Sequence, residues 1–229
     1  MSKSCIIFDC YQTLIYKKGR EQALQKFLAK ELKVKIPLKY LGTAFAVMYH
    51  RHKFRRPKFK TLIERRNYYR KYNKELLQII GLEIPNNVAD KLNEELSGLP
   101  YECYSDTFEI LRYYRAKKYP LGLLANWTKT LERVLEKTGL IKYFDFIHSS
   151  HKVGFDKPDP RIFSSVLTKK ELRNCSKIYY VGDDYELDIW PARKAGLIPI
   201  LIDRLKTYPK NIDCIKLPNL TSLKGIINE

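Results

Sequence analysis

The chain opens on a short apolar run. Residues 4–8, SCIIF, are small or apolar and lead directly into Asp9. A run this short, bounded by a polar residue, predicts a buried strand. The period then changes. Leu24, Phe27, Leu28 and Leu32 recur at helical spacing, and so do Leu38, Leu41, Phe45 and Met48. Leu62, Tyr69, Leu76 and Ile80 predict a third helix over about 61–80, with Gly81 as its stop. Val88, Leu92 and Leu96 predict a fourth, ended by Gly98. Pro37, Pro57 and Pro85 fall between these patterns, where a residue without an N–H breaks no helical hydrogen bond. Residues 16–100 therefore read as four helices with no strand signal.

After Pro100, strand and helix patterns alternate. Ser105 or Asp106 is placed to cap a helix over 107–118. Strands are predicted at 120–126 (PLGLLAN), 144–149 (FDFIHS), 177–184 (KIYYVGDD) and 198–203 (IPILID), the last being the final one. Between them fall a helix through Leu131, Val134 and Leu135 to Gly139, one from about 160 to 170, and one ending at Gly196. Strands joined by single helices imply an α/β fold with a doubly wound parallel sheet. A chain of 229 residues accommodates one such domain carrying an insert.

Charge changes this picture in one segment. The net charge is +18, and residues 16–100 supply +12 of it. Such a field suits anionic partners: phosphorylated metabolites, nucleic acid or an acidic surface. In YHRHKFRRPKFKTLIERRNYYRKYNK, residues 49–74, basic and aromatic residues interleave. That composition fits a nucleic-acid surface. It fits equally a solvated helix face with Phe54, Phe59 and the tyrosines packed inward. His50 and His52 have no partners spaced for a metal and read as surface residues. No apolar run approaches the roughly 20 residues of a membrane span. The N-terminal run is too short for a signal peptide. The five cysteines, Cys5, Cys10, Cys103, Cys175 and Cys214, include no C-x-x-C pair. They predict reduced thiols and a cytoplasmic setting.

In a doubly wound sheet, ligands bind at the carboxyl ends of the strands. Four predicted strands end in candidate chemistry. The first ends at Asp9 and the second at Ala125-Asn126. The third leads through HKVGFDKPDP to Lys157, and the fourth ends at Asp183-Asp184 with Asp188 following. A strand-end carboxylate such as Asp9 can act as a nucleophile. Asp9 and Asp183 could share a Mg²⁺, which prefers oxygen ligands and bridges to phosphate. Lys157 would hold the phosphate and balance the acids. Asp188 would orient a water or help hold Lys157. An uncompensated group of Asp9, Asp183, Asp184 and Asp188 would repel itself, which favours a bound cation.

FDCYQTL, LLANW, GFDKPDPRIF and VGDDYELD with ARKAG resemble the four motifs of the haloacid dehalogenase superfamily. The resemblance implies a Rossmann-like core formed by residues 1–15 and 101–229. Residues 16–100 would be a helical cap inserted between motifs one and two. It implies a hydrolase with Asp9 as nucleophile, Lys157 as the motif-three lysine and Asp183 as the metal-binding acid. The backbone carbonyl of Tyr11 would be a further Mg²⁺ ligand. Asp184 and Asp188 would support the ligands from behind. Asn126 and Trp127 would line the substrate phosphate, with Lys157.

Three positions depart from the family's phosphatase pattern. Tyr11 stands where phosphatases carry an aspartate that serves as general acid and base. Gln12 replaces a glycine, and Ala125 replaces the motif-two hydroxyl. A tyrosine at the second place resembles the 2-haloacid dehalogenase branch. There the leaving halide needs no proton and the reaction no metal, yet that branch lacks the acid Asp183 supplies. Three functions stay open. The first is a Mg²⁺-dependent phosphatase with an aspartyl-phosphate intermediate, in which Asp9, Tyr11 and Lys157 carry the chemistry. The second is a metal-free dehalogenase. The third is a catalytically impaired member that binds nucleic acid or another anionic partner.

Overall fold

The computed structural model describes residues 3–54 and 59–227. Pro57 and three of the basic residues singled out above, Arg55, Arg56 and Lys58, lie outside the described residues. The chain divides into two compact units, Met1–Tyr16 with Tyr101–Glu229, and Lys17–Pro100. In chain order the elements begin with strands β1 (Lys3–Phe8) and β2 (Ile15–Lys17). Helices α1 (Arg20–Glu31), α2 (Leu38–His52), α3 (Leu62–Gln78) and α4 (Asn86–Gly98) follow. Then come β3 (Tyr101–Cys103), α5 (Thr107–Ala116), β4 (Leu121–Ala125) and α6 (Leu131–Lys137). Next are β5 (Phe146–Ser149), α7 (Ser150–Val153), α8 (Pro160–Leu167) and β6 (Cys175–Gly182). The series closes with α9 (Trp190–Lys194), β7 (Ile198–Ile202) and β8 (Ile215–Leu217).

Six strands form a parallel sheet in the order β5-β4-β1-β6-β7-β8. This is the doubly wound α/β arrangement that the alternation predicts. Strand β1 lies inside the sheet, with β4 on one side and β6 on the other. The chain first winds outward through β4 and β5, then returns to β6 and winds the other way. The strand order thus reverses beside β1, where such sheets open a crevice for ligands. Alternate residues of β1 serve opposite faces. Ile6 and Phe8 join Leu121, Leu123 and Val181 in one apolar cluster. Cys5 and Ile7 join Leu124, Tyr180 and Phe163 in the other. β1 is buried on both faces, which explains its unbroken apolar sequence.

Several local expectations are corrected. β6 ends at Gly182, so Asp183 and Asp184 lie in the loop beyond it. A wide π-helical turn, Tyr185–Ile189, and the short α9 replace the single helix expected there. The sheet continues past β7 into β8, whose three residues are too few to show a period. Asp106 occupies the N-cap of α5 but makes no side-chain cap bond. Its carboxylate instead receives Arg204 and the backbone N–H of Leu220. Cys5 and Cys175 are paired as a disulfide with Cα atoms 5.9 Å apart, so the expectation of free thiols fails there. β1 and β6 are neighbours, and that pairing is invisible in sequence.

The Lys17–Pro100 unit packs its four helices around Leu24, Leu28, Leu41, Phe45, Met48, Leu76 and Leu92. Leu38 and Leu62, expected inside, are exposed, and so is Phe54. Phe59 does pack, against Tyr68 and Tyr69. Thr61 caps α3 by accepting from Glu64 N at 3.1 Å. Arg66 and Arg70 both donate to Asp90, tying α3 to α4. Arg51 and His52 meet Glu75, so part of the basic stretch is neutralised within its own unit. No helix among the described residues is long and apolar enough to cross a membrane.

Candidate active site

The carboxyl edge of the sheet brings the candidate residues together. Asp9 follows β1 directly, and its N–H donates to Val181 O at 2.8 Å, which holds the loop after β1 against β6. Lys157 is buried, and its Nζ lies 2.5 Å from Asp9 Oδ1 and 2.5 Å from Asp188 Oδ1. Carboxylate oxygens of Asp9, Asp183 and Asp188 all lie within 4.8 Å of one another. Asp188, expected behind the ligands, thus shares the acid cluster. Asp184 does stand behind it. Its Oδ1 accepts from Glu186 N and Leu187 N, both at 2.9 Å, and so caps the π-helical turn. Its own N–H donates to Asp188 Oδ2 at 3.1 Å.

Motif two contributes through its backbone partners. Asn126 Oδ1 accepts from Lys157 N at 2.6 Å, and Asn126 Nδ2 donates to Lys157 O at 2.9 Å. The amide brackets the lysine's backbone, although the sequence placed it against phosphate. Ala125 closes β4 and is buried. Tyr11 lies half-buried among rings, 6.2 Å from Tyr101 and 6.4 Å from Trp127, which are 5.3 Å from each other. Trp127 donates from Nε1 to Thr130 Oγ1. Gln12 adopts φ 68°, the left-handed region that the family's glycine suits. A side chain there costs on the order of 1 kcal/mol.

Two contributors escaped the sequence reading. Tyr180, on β6, receives Lys157 Nζ at 3.0 Å and lies 3.0 Å from Asp188 Oδ1. A tyrosine inside an apolar strand needs a partner for its hydroxyl, and that is the one available signal. Thr13, fully buried, donates from Oγ1 to Asp183 Oδ1 at 3.1 Å.

The electrostatics follow from three carboxylates around one ammonium. Burial pulls the Lys157 pKa down, but Asp188 and Asp9 at its ammonium raise it well above the usual lysine range. Burial pushes Asp188 up to about 6 against the pull of Lys157. Burial, then repulsion from Asp9, Asp188 and Asp184, pushes Asp183 well above the ordinary carboxylate range. Lys157 offsets only part of that repulsion. A hard cation fits this all-oxygen donor set, because it would offset the repulsion that Lys157 leaves.

A family model described as haloacid dehalogenase-like hydrolase matches residues 3–196. The chain belongs to the haloacid dehalogenase-like hydrolase family. Haloacid dehalogenase-like hydrolase domain-containing protein 3 of Bos taurus is 35% identical over 116 residues, covering 50% of this chain and 46% of that protein. Ribulose-1,5-bisphosphate 5-phosphatase of Halopiger xanaduensis is 32% identical over 111 residues, covering 48% and 44%. The chain spans about half the length of the curated relatives it matches. The haloacid dehalogenase-like fold extends further. The magnesium-bound hydrolase YfnB of Bacillus subtilis superposes with a TM-score of 0.69 at 19% identity, covering 100% of this chain and 99% of that one.

Proposed function

We propose that this hydrolase is a Mg²⁺-dependent phosphatase of small phosphorylated molecules, working through a phospho-Asp9 intermediate. One observation carries the reading: oxygens of three carboxylates lie within 4.8 Å of one another, and the Lys157 ammonium among them pairs with Asp9 and Asp188. A metal-free dehalogenase has no use for that surplus of acid. Asp9 and Asp183, with the Tyr11 carbonyl, would hold Mg²⁺, which when bound offsets charge on the phosphoryl group. Lys157 holds Asp9 in place and balances its charge. An Asp9 oxygen attacks phosphorus, and the P–O bond to the leaving group breaks. Tyr11 lacks the carboxyl group that serves the family's phosphatases as general acid at this place. The leaving oxygen therefore takes its proton from water. A water then attacks the phosphorus of the acyl phosphate, releasing inorganic phosphate and restoring Asp9. Losing a general acid costs ~10²–10⁴ in rate, so esters with good leaving groups are preferred. We read residues 16–100 as the family's cap, whose positive charge would attract anionic substrates.

Tyr11 favours a second reading. Halide leaves without a proton, so a tyrosine in the acid's place suits carbon–halogen cleavage with an ester at Asp9. p-Nitrophenyl phosphate separates the two, since nitrophenolate leaves unassisted. Turnover that needs both Mg²⁺ and Asp9, abolished by EDTA and by Asp9→Asn, supports the phosphatase. Inactivity there with chloride release from 2-chloropropionate supports the dehalogenase. Silence in both, with a shift of labelled nucleic acid, leaves a binding protein.

A further inference from the structure

A lysine ammonium has three N–H donors and no acceptor. In Lys157 all three are taken inside the protein, by Asp9 Oδ1 at 2.5 Å, Asp188 Oδ1 at 2.5 Å and the Tyr180 hydroxyl at 3.0 Å. Its backbone is fixed as well, by both ends of the Asn126 amide. Lys157 therefore has no donor free for a substrate oxygen. It works as a bracket on Asp9. The Tyr180 hydroxyl completes that bracket. It accepts from Lys157, and its own proton points to Asp188 Oδ1 at 3.0 Å or Leu124 O at 3.3 Å. The tyrosine is fully buried, and its ring packs edge-on against Phe163 at 5.2 Å. It thus links β6, through its own backbone, to β1 through Lys157 and Asp9, while its one proton serves either Asp188 or Leu124 O on β4.

We propose that Tyr180 is a positioning residue: its hydroxyl takes the third N–H of Lys157 and so fixes the Asp9 carboxylate in its reactive orientation. The kinetic consequence rests on the phosphatase reading, and the geometric one does not. A residue that orients the nucleophile, rather than touching substrate, alters turnover and spares KM.

Tyr180→Phe keeps the ring and removes the hydroxyl. With p-nitrophenyl phosphate and Mg²⁺, kcat is expected to fall about ten-fold or more, with KM within about two-fold. A merely structural role would lower Tm and leave that split unmade. A second measurement needs no turnover. In protein labelled with ¹⁵N-lysine and held cold, a buried ammonium with three partners exchanges slowly and gives a ¹H–¹⁵N signal. Its absence in Lys157→Arg identifies it. Tyr180→Phe should broaden that signal or abolish it. Unchanged kcat, or an unchanged signal, overturns the proposal, as does a raised KM at constant kcat. If wild type hydrolyses no phosphoester, the phosphatase reading fails, and the ammonium signal alone decides for or against Tyr180. Should Tyr180→Phe not fold, Tyr180→Met carries the same two measurements.

Discussion

Gly182 has no side chain because Asp188 fills the space. A Cβ built there would meet Asp188 Cβ and Cγ at 2.5 Å and Oδ2 at 2.6 Å. The carboxylate that holds Lys157 and Tyr180 can approach β6 only over a bare backbone. Gly182→Ala should therefore displace Asp188, lower kcat at least ten-fold and destabilise by about 1–3 kcal/mol through overpacking. Wild-type-like Tm and turnover would show that the turn after β6 yields instead. His148 makes a different prediction. Ser165 Oγ donates to Ile162 O, so the 2.8 Å contact between the two side chains is donated by His148 Nε2. Burial, then Lys169 and Lys152, lowers the His148 pKa to about 4. The unfolded chain titrates near 6.5, so between those values it binds the extra proton. Stability is complete above pH 6.5 and is lost as pH falls toward 4, by about 3 kcal/mol from this group. Urea unfolding of wild type and His148→Gln across that window should give curves that diverge on the acid side. Parallel curves would remove the assignment. The sequence singled out Asp9, Lys157, Asp183 and Asp188 because each lies at or beyond the end of a predicted strand, and the fold brings them together. It did not disclose Tyr180 as a partner of Lys157, or Asp106 as a partner of Arg204. Those contacts join residues far apart in the chain, and no local pattern records them.

Helix α3 shows what a local pattern does record. Its expected span, about 61–80, contains the observed Leu62–Gln78, since a 17-residue helix gives period and boundaries room to register. Its start is a cap with a chemical cause. Thr61 Oγ1 accepts from Glu64 N, and Glu64 Oε2 accepts from Lys60 N at 2.8 Å. One helix-end donor, Glu64 N, is thereby satisfied, together with the N–H of Lys60 just ahead of the cap. Thr61→Ala should cost about 1 kcal/mol, read as a lower urea midpoint at constant m, while Thr61→Ser should retain most of it. Equal midpoints for Ala and Ser would mean that water serves the cap as well as the hydroxyl. The elements that sequence misses are the short ones. α7 has four residues and β8 three, fewer than one period of alternation can identify. Each is defined by its neighbour: β8 by parallel pairing to β7 from Ile200↔Ile215 to Ile202↔Leu217.

The whole molecule is held against two opposing tendencies: a net charge of +18 that repels itself, and a sheet assembled from distant segments. The Cys5–Cys175 link bears on the second. It joins β1 to β6 across 170 residues of sequence, and those are the strands that carry Asp9 and Asp183. Closing a loop that long removes freedom from the unfolded chain worth about 5 kcal/mol in the chain-entropy account. A domain of this size shifts roughly 2–4 °C per kcal/mol, so reduction should lower Tm by about 10 °C or more. The check begins with thiol counting. In the denatured, unreduced protein an alkylating reagent should label Cys10, Cys103 and Cys214 and spare the pair. Cys5→Ser with Cys175→Ser should then reproduce the reduced Tm and become indifferent to reductant. Five labelled thiols in the freshly purified protein would refute the link. A reductant-sensitive Tm in the double variant would trace the effect to the other cysteines. The link also makes a claim about the site. If β1 and β6 are already set by the sheet ladder, from Ser4↔Lys177 to Phe8↔Val181, reduction should leave kcat unchanged below the new melting range. A fall in kcat at temperatures where the reduced protein is still folded would mean that the strands, once unlinked, no longer hold Asp9 against the acids that follow β6.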